Sequence, residues 1–256
     1  GDFEAIGTDL QRILISRNTK HKPFGVFAIL GEGDDRSSVT MDYVNVEGGS
    51  EGIVNGVFFS GQVSIHGADV SINNSQFMNS QSDDGINIKY SRVNITNSIF
   101  SNNNGDQIDL DYCVGAVSHN DFYYDITDNY ISDEPVSTDG LDVSGTVIRV
   151  SDNRFRSFSD KGISVGEQSV IFIDRNNLIN NKSGVSIKDG SAAFLGINVF
   201  EYNEVDISAY IKKPFYSMPT IYAAHDNVNV NKIVPDDIIS YMSYQKVTRL
   251  FDATIV

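Results

Sequence analysis

The sequence predicts an all-β solenoid, a parallel β-helix with about 22 residues per turn. Three observations predict it. First, a four-residue alternation recurs at a nearly fixed step: Val63-Ser64-Ile65-His66, Ile86-Asn87-Ile88-Lys89, Ile108-Asp109-Leu110-Asp111, Leu141-Asp142-Val143-Ser144, Ile163-Ser164-Val165-Gly166 and Val185-Ser186-Ile187-Lys188. Second, each unit closes on an apolar residue that has Ser or Asn two positions before it: Ser75 with Phe77, Ser98 with Phe100, Asn120 with Phe122, Asn153 with Phe155, Asn176 with Leu178, Asn198 with Phe200. Third, Asn, Gly, Asp and Ser cluster between the apolar runs, where a chain must turn. A period this short has no room for paired helices, and strands of three or four alternating residues suit one turn of a parallel β-helix.

Taken in order, the chain reads as a single domain. Residues 1–37 are irregular early turns, with strand-like runs at 12–16 (RILIS) and 24–30 (FGVFAIL) and a loop at 31–35 (GEGDD). No amphipathic helix is evident there to cover the open end of a solenoid, so an upstream chain or a partner is expected to cover it. Regular turns occupy 38–207, beginning at 39–46 (VTMDYVNV), and glycines in 47–56 (EGGSEGIVNG) let the chain turn tightly. One step is longer than its neighbours: Ile108 to Leu141 carries a surplus at 123–137 (YYDITDNYISDEPVS), read as a loop that either binds a ligand or is a tolerated surface excursion. Residues 208–256 form C-terminal turns and a cap. The pattern loosens at 212–215, weak strands return at 220–223 and 228–230, and 236–251 reads as a helix or strand-like cap over the last turn. Its acidic start and its Lys246 and Arg249 suit a helix dipole.

Composition limits the partners. The chain is 40% hydrophobic but has no apolar run long enough for a transmembrane helix, so no membrane insertion is expected. A net charge of -15 disfavours nucleic acid and anionic membrane surfaces. It would also repel an anionic polysaccharide unless cations intervene. Cys113 is alone, which excludes an internal disulfide, and reads as a small filler inside the coil.

On these repeats, from Val39 to Ile207, the chain resembles the right-handed parallel β-helix superfamily, which includes pectate lyases, alginate lyases, mannuronan epimerases and phage tailspikes. The resemblance is one of fold; the activity-specific motifs of those enzymes are not part of it. It implies a secreted bacterial protein, extracellular or at the cell surface, that acts on or binds a polysaccharide. For the lyases and epimerases it further implies calcium to neutralise a uronate carboxylate and a basic side chain to take the C5 proton.

Stacked turns convert sequence columns into rows of neighbours ~4.8 Å apart. With Ile86, Ile88 and their equivalents inward, three outward rows follow. One holds Gly61, Asp84, Asp106, Asp139, Lys161 and Ser183, the next Ser64, Asn87, Asp109, Asp142, Ser164 and Ser186, and the third His66, Lys89, Asp111, Ser144, Gly166 and Lys188. Carboxylates ~5 Å apart repel by ~3 kcal/mol at an effective dielectric of about 20. Calcium held by Asp84, Asp106, Asp109, Asp139 and Asp142 would relieve that repulsion. So would protonation, or pairing with Lys89 and Lys161. Beside these rows Lys89, with His66 and Asp111, forms a candidate acid/base set in which Lys89 is the expected base; an ordinary surface ion pair is the plainer account of Lys89 and Asp111. Asn87, Tyr112, Tyr123 and Tyr124 are candidate substrate contacts, and Tyr90 and Tyr130 add aromatic surface. Two functions stay open: a calcium-assisted lyase or epimerase acting on a uronic-acid glycan, and a non-catalytic surface or assembly module. A glycosidase using two Asp is a third.

Overall fold

The computed structural model describes residues 1–19, 22–31, 36–125, 137–227, 230–235 and 237–255. Among them the chain visits three parallel sheets in constant rotation, as in Ala68–Asn73, Gln76–Met78, Asp84–Lys89 and then Arg92–Thr96, Ile99–Ser101, Asp106–Asp111. The first sheet has ten strands, the second eight and the third nine. Register follows the predicted repeat: Ile86 pairs with Val63 and Ile108, and Lys89 with His66 and Asp111. The inward columns from Val63 through Ile187 are fully buried, and the closing positions stack Phe77, Phe100, Phe122 and Phe155 face to face at 4.5–5.4 Å.

The interior is not purely apolar. Buried Asn side chains form a ladder at the corner between the first and second sheets. Asn120 donates its backbone N–H to Asn153 Oδ1, Asn153 to Asn176 Oδ1, and Asn176 to Asn198 Oδ1, at 2.9–3.0 Å. Each Nδ2 donates to a carbonyl of an earlier turn, as Asn153 does to Val117 at 2.9 Å. A corner breaks the sheet hydrogen bonding, and the ladder satisfies the backbone groups thereby exposed. This gives a role to the Ser and Asn seen two residues before each closing position. Cys113 belongs to a similar ladder: its N–H donates to Thr146 Oγ1 at 3.0 Å and its Sγ to Ile88 O at 3.3 Å.

Four expectations change. Residues 1–37 contribute a strand to each sheet, Phe3–Ile6, Ile13–Ser16 and Phe27–Leu30, so the first turn is regular; Phe3–Ile6 is too short and polar-flanked for its sequence to announce it. The segment after Gly48 is an antiparallel hairpin, Gly52–Val54 with Val57–Phe59. At the C-terminus, Ile239–Met242 extends the first sheet, and the helix begins only at Tyr244, so Asp237 and Lys246 do not sit at opposite helix ends. That helix, Tyr244–Thr254, does not cap the last turn. It lies on the outside of the first sheet, packing Val247 and Phe251 against Phe172 and Phe194. The loop at 32–35, residues 126–136 of the long step with Tyr130, the strand expected at 228–229 and Asp236 lie outside the described residues. No helix among the described residues is long and apolar enough to cross a membrane.

Both the hairpin and the long step arise at the same corner, between the second and third sheets. They therefore flank the third-sheet turns that begin at Asp84 and Asp106.

Replacing Asn153 by Ala removes both the acceptor of Asn120 and the donor to Val117, leaving buried backbone groups unpaired. Denaturant unfolding should show a loss of about 2–4 kcal/mol. Asn153→Ser, the residue type used at Ser75 and Ser98, should cost less.

Candidate functional site

The third sheet carries a crease along its outer face. In a flat strand, side chains three apart point to opposite faces, yet here they touch: Ser186 Oγ donates to Ser183 Oγ at 3.0 Å, and Ser64 Oγ reaches back to accept the backbone N–H of Gly61 at 3.2 Å. The strand bends at the intervening position, held mostly by glycine. A Cβ at Gly140 would lie 2.6 Å from the Gly162 carbonyl oxygen, and one at Gly162 2.8 Å from that of Gly184, so those two turns need glycine there, while Gln62 and Gln107 bury their side chains at the same position of their own turns. Two outward rows thereby fold towards each other into one groove. This explains why Asn87, Ser64 and Ser164, which point away from the core, are fully buried.

At its centre Asp106, Asp139 and Asp142 bring carboxylate oxygens within 4.8 Å of one another. Asp106 Oδ1 accepts the Asp139 N–H at 3.2 Å, and Asp139 Oδ1 the Lys161 N–H at 2.9 Å. Asp142 Oδ1 is shielded from solvent and has no hydrogen-bond partner; its nearest cation, Lys188 Nζ, is 3.8 Å away. Burial and then the charges of Asp139 and Asp142 push Asp106 well above the usual carboxylate range. Burial, followed by Asp84 and Asp111, does the same to Asp109. Asp84 is raised to about 7, chiefly by burial. Asp139 is raised to about 6 by burial, against the opposing pull of Lys161.

Cations line the margins. Lys89 Nζ donates to Asp111 Oδ2 at 2.5 Å. Burial alone would lower the Lys89 pKa, but the bond to Asp111 and the fields of Asp109 and Asp84 raise it overall. Lys89 therefore keeps its proton at neutral pH, which disfavours the role of base expected for it. Lys161 lies against Asp139 and Asp160. Lys188, 5% exposed, runs its stem past Gly166 and donates to Ser164 Oγ at 2.6 Å. Sequence reasoning placed Lys188 in its row without assigning it to the site; the bare Gly166 one turn earlier was the available signal.

His66 ends this arrangement. Its Nε2 is 3.2 Å from Asn87 Oδ1, while Asn87 Nδ2 donates to Asp109 Oδ2 at 2.7 Å. With the Asn87 amide so oriented, Nε2 carries the imidazole proton and Nδ1 is the free nitrogen. Burial lowers the His66 pKa more than its bond to Asn87 raises it, and the Phe59 ring of the hairpin lies 4.9 Å from the imidazole. His66 is thus neutral near pH 7.

The aromatic candidates separate. Tyr112 is exposed at the end of the third sheet, stacked on Tyr90. Tyr123 lies on the second sheet, away from the groove, with the Arg156 guanidinium 4.8 Å over its ring. Tyr124 is 7% exposed within the core cluster, so it offers no face to a ligand. Adjacent residues of an alternating strand point to opposite sides, and neither of these two reaches the third sheet.

The fold and groove define a class, a parallel β-helix protein with a creased, carboxylate-rich outer face. Residues 55–210 match the family of right-handed β-helix regions, and the chain belongs to that family. Among solved structures, a mutant of the periplasmic alginate epimerase AlgG superposes with a TM-score of 0.60 at 14% identity, covering 89% of this chain and 63% of that one. Pectate lyase Pel9A superposes with a TM-score of 0.50 at 11% identity, covering 90% of this chain and 66% of that one. The chain thus spans just under two thirds of the length of each. At such identities the likeness shows the fold alone. No curated protein matches the chain in sequence.

The raised carboxyl pKa values set the pH dependence. Between the ordinary value of 3.8 and about 7 for Asp84, or about 6 for Asp139, the native state holds protons that the unfolded state has released. Stability therefore falls as pH rises through that window. In chelator, the melting temperature should be higher at pH 5 than at pH 8, and Asp106→Asn should shrink the difference. A flat or rising profile would contradict the burial of these charges.

Proposed function

We propose that the groove binds a uronic-acid polysaccharide and that the protein acts on it as a calcium-assisted lyase or epimerase. The carrying observation is the convergence of Asp106, Asp139 and Asp142, with a shielded and unbonded Asp142 Oδ1, on the same face as a neutral His66 and a protonated Lys89. The two solved structures named above are an alginate epimerase and a pectate lyase, and both polymers consist of uronic acids.

The donor set fits calcium. All three groups are hard carboxylate oxygens, one oxygen lacks a hydrogen-bond partner, and calcium tolerates irregular oxygen geometry. Asp106, Asp139 and Asp142 would hold the ion, with Asp84 and Asp109 in the surrounding field. When bound it masks the uronate carboxylate, which acidifies the C5 hydrogen. His66 Nδ1 is the only neutral nitrogen base in the described row and would accept that proton. Lys89, kept charged by Asp111, would deliver a proton or stabilise the developing negative charge. In elimination the C4–O4 bond then breaks and the leaving O4 takes a proton; in epimerisation a different proton is delivered to the opposite face of C5. Such polymers are met outside the cytoplasm, which under this reading puts the protein in the extracellular space or at the cell surface.

A second reading is a glycan-binding module without turnover. One observation favours it: Lys89, Lys161 and Lys188 each already hold a groove partner, and Asn87 is committed between His66 and Asp109. The two are separated by incubating alginate and pectate with the protein, with and without chelator. Unsaturated ends are read by ultraviolet absorbance, and C5 exchange by solvent deuterium incorporation. The enzyme reading expects calcium-dependent product that His66→Ala abolishes. Binding without product or exchange would leave the module.

Calcium should also raise the melting temperature by mass action on the native state. Asp142→Asn should remove most of that rise. Calorimetry showing no calcium binding at millimolar concentration would sink the metal assignment.

A further inference from the structure

Tyr90 and Tyr112 occupy successive turns at the corner between the third and first sheets, one residue beyond Lys89 and Asp111. Both sit at φ +54°, a left-handed conformation that bulky side chains rarely adopt. The flanking turns place Gly67 and Gly145 there, at φ +72° and +59°. Burial does not offset the strain, since the two tyrosines are 58% and 52% exposed. Left-handed corners recur through the coil, as at Tyr43, His119 and Tyr202, so what sets these two apart is the exposed stack that their rings make.

Their rings are parallel within 5°, with centroids 5.2 Å apart. One end of this stack is closed by Gly145, where a Cβ would lie 2.6 Å from the Tyr112 ring. Among the described residues the other end is open. On that side Gly67 follows His66, and a Cβ there would meet only Gly31 backbone atoms, at 3.7 and 4.0 Å. Gly67 therefore puts no ring at the next position of the stack. Tyr43 shares the left-handed backbone, but Arg12 lies 5.5 Å over its ring, so it presents no comparable bare face.

We propose that Tyr90 and Tyr112 form a carbohydrate-stacking subsite, in which the C–H face of a pyranose ring takes the empty place in the stack above Gly67. This rests on the reading of the groove as a glycan site and extends it past the carboxylates. A pyranose carries an apolar face and a hydroxyl rim, so it matches an aromatic face bordered by polar groups better than a wholly apolar ligand does. The polar border is present: Lys89 and Asp111 precede the tyrosines, and the exposed Arg36 donates from Nη1 to the Tyr90 carbonyl at 2.9 Å. A sugar seated there adjoins the turn that carries His66.

Asn accepts the same backbone and already serves at left-handed corners such as Asn74 and Asn97, so Tyr90→Asn and Tyr112→Asn test the rings without breaking the turn. Calorimetric titrations would use oligomannuronate and oligogalacturonate, with a cello-oligosaccharide as the neutral probe, against the parent, both Tyr variants and Asp142→Asn. The expected result is an unchanged or higher melting temperature and a loss of affinity of roughly tenfold in Tyr90→Asn. Parent binding that the Tyr variants leave intact overturns the subsite while the carboxylate groove stands. Equal affinity for the neutral probe, lost in Tyr90→Asn but not in Asp142→Asn, keeps the subsite and overturns the uronate reading. A parent that binds none of the three probes overturns both.

Discussion

Hydrogen bonding between successive turns is the constraint from which the rest of this structure follows. Each strand pairs in register with its equivalent one turn away, so every side chain lies over its counterpart at the spacing of sheet strands. Ile stacks on Ile, Phe on Phe and Asn on Asn. For the apolar residues and the amides this repetition is favourable, because burial is continuous and each amide satisfies the next turn's backbone. For carboxylates it is unfavourable, and Asp84, Asp106 and Asp139 are stacked under the same rule.

The crease turns that penalty into a site. The bend, at Gly140 in the strand of Asp142 and at Gln107 in that of Asp109, brings this second row against the first, so the acidic groups interact across rows as well as along them. The groove answers with cations at its margins: Lys89 against Asp111, Lys161 against Asp139, and Lys188 near Asp142. Compensation is incomplete at the centre, where an Asp142 oxygen stays unbonded and Asp106 holds its proton far above the usual range. A stack of buried turns extending on both sides supplies the stability against which such a cluster can persist. A cation or a substrate would restore there the charge balance that the side chains leave unfinished.

The same geometry alters the chemistry of individual groups. Lys89 reads from its row as a base beside an imidazole and an acid, but its short bond to Asp111 keeps it protonated. His66, which shares that row, is held neutral by burial beneath the hairpin's Phe59. The hairpin rises from the corner between the second and third sheets and sets Phe59 against His66, at the end of the groove. Tyr123 and Tyr124 open the long step in sequence, but they stand on the second sheet and in the core in space.

The sequence by itself determined the period, the register and the inward columns. Each turn repeats the same local problem, and solenoid contacts are between equivalent positions, so a one-dimensional pattern suffices to place Ile86 on Ile108 or Asp84 on Asp106. Irregular parts escaped it: Phe3–Ile6, the Gly52–Val54 hairpin and the docking of Tyr244–Thr254 on the first sheet have no repeat from which to be read. Only the tertiary structure decided how the rows meet. An alternation pattern assigns residues to faces but carries no information about bending, and it was the bend of the third-sheet strands that brought Asp106 to Asp142 and buried Asn87 between His66 and Asp109, while the bare Gly166 let Lys188 pass to Ser164. Protonation states followed from that burial, since desolvation and neighbouring charge act through distances that no spacing along the chain encodes.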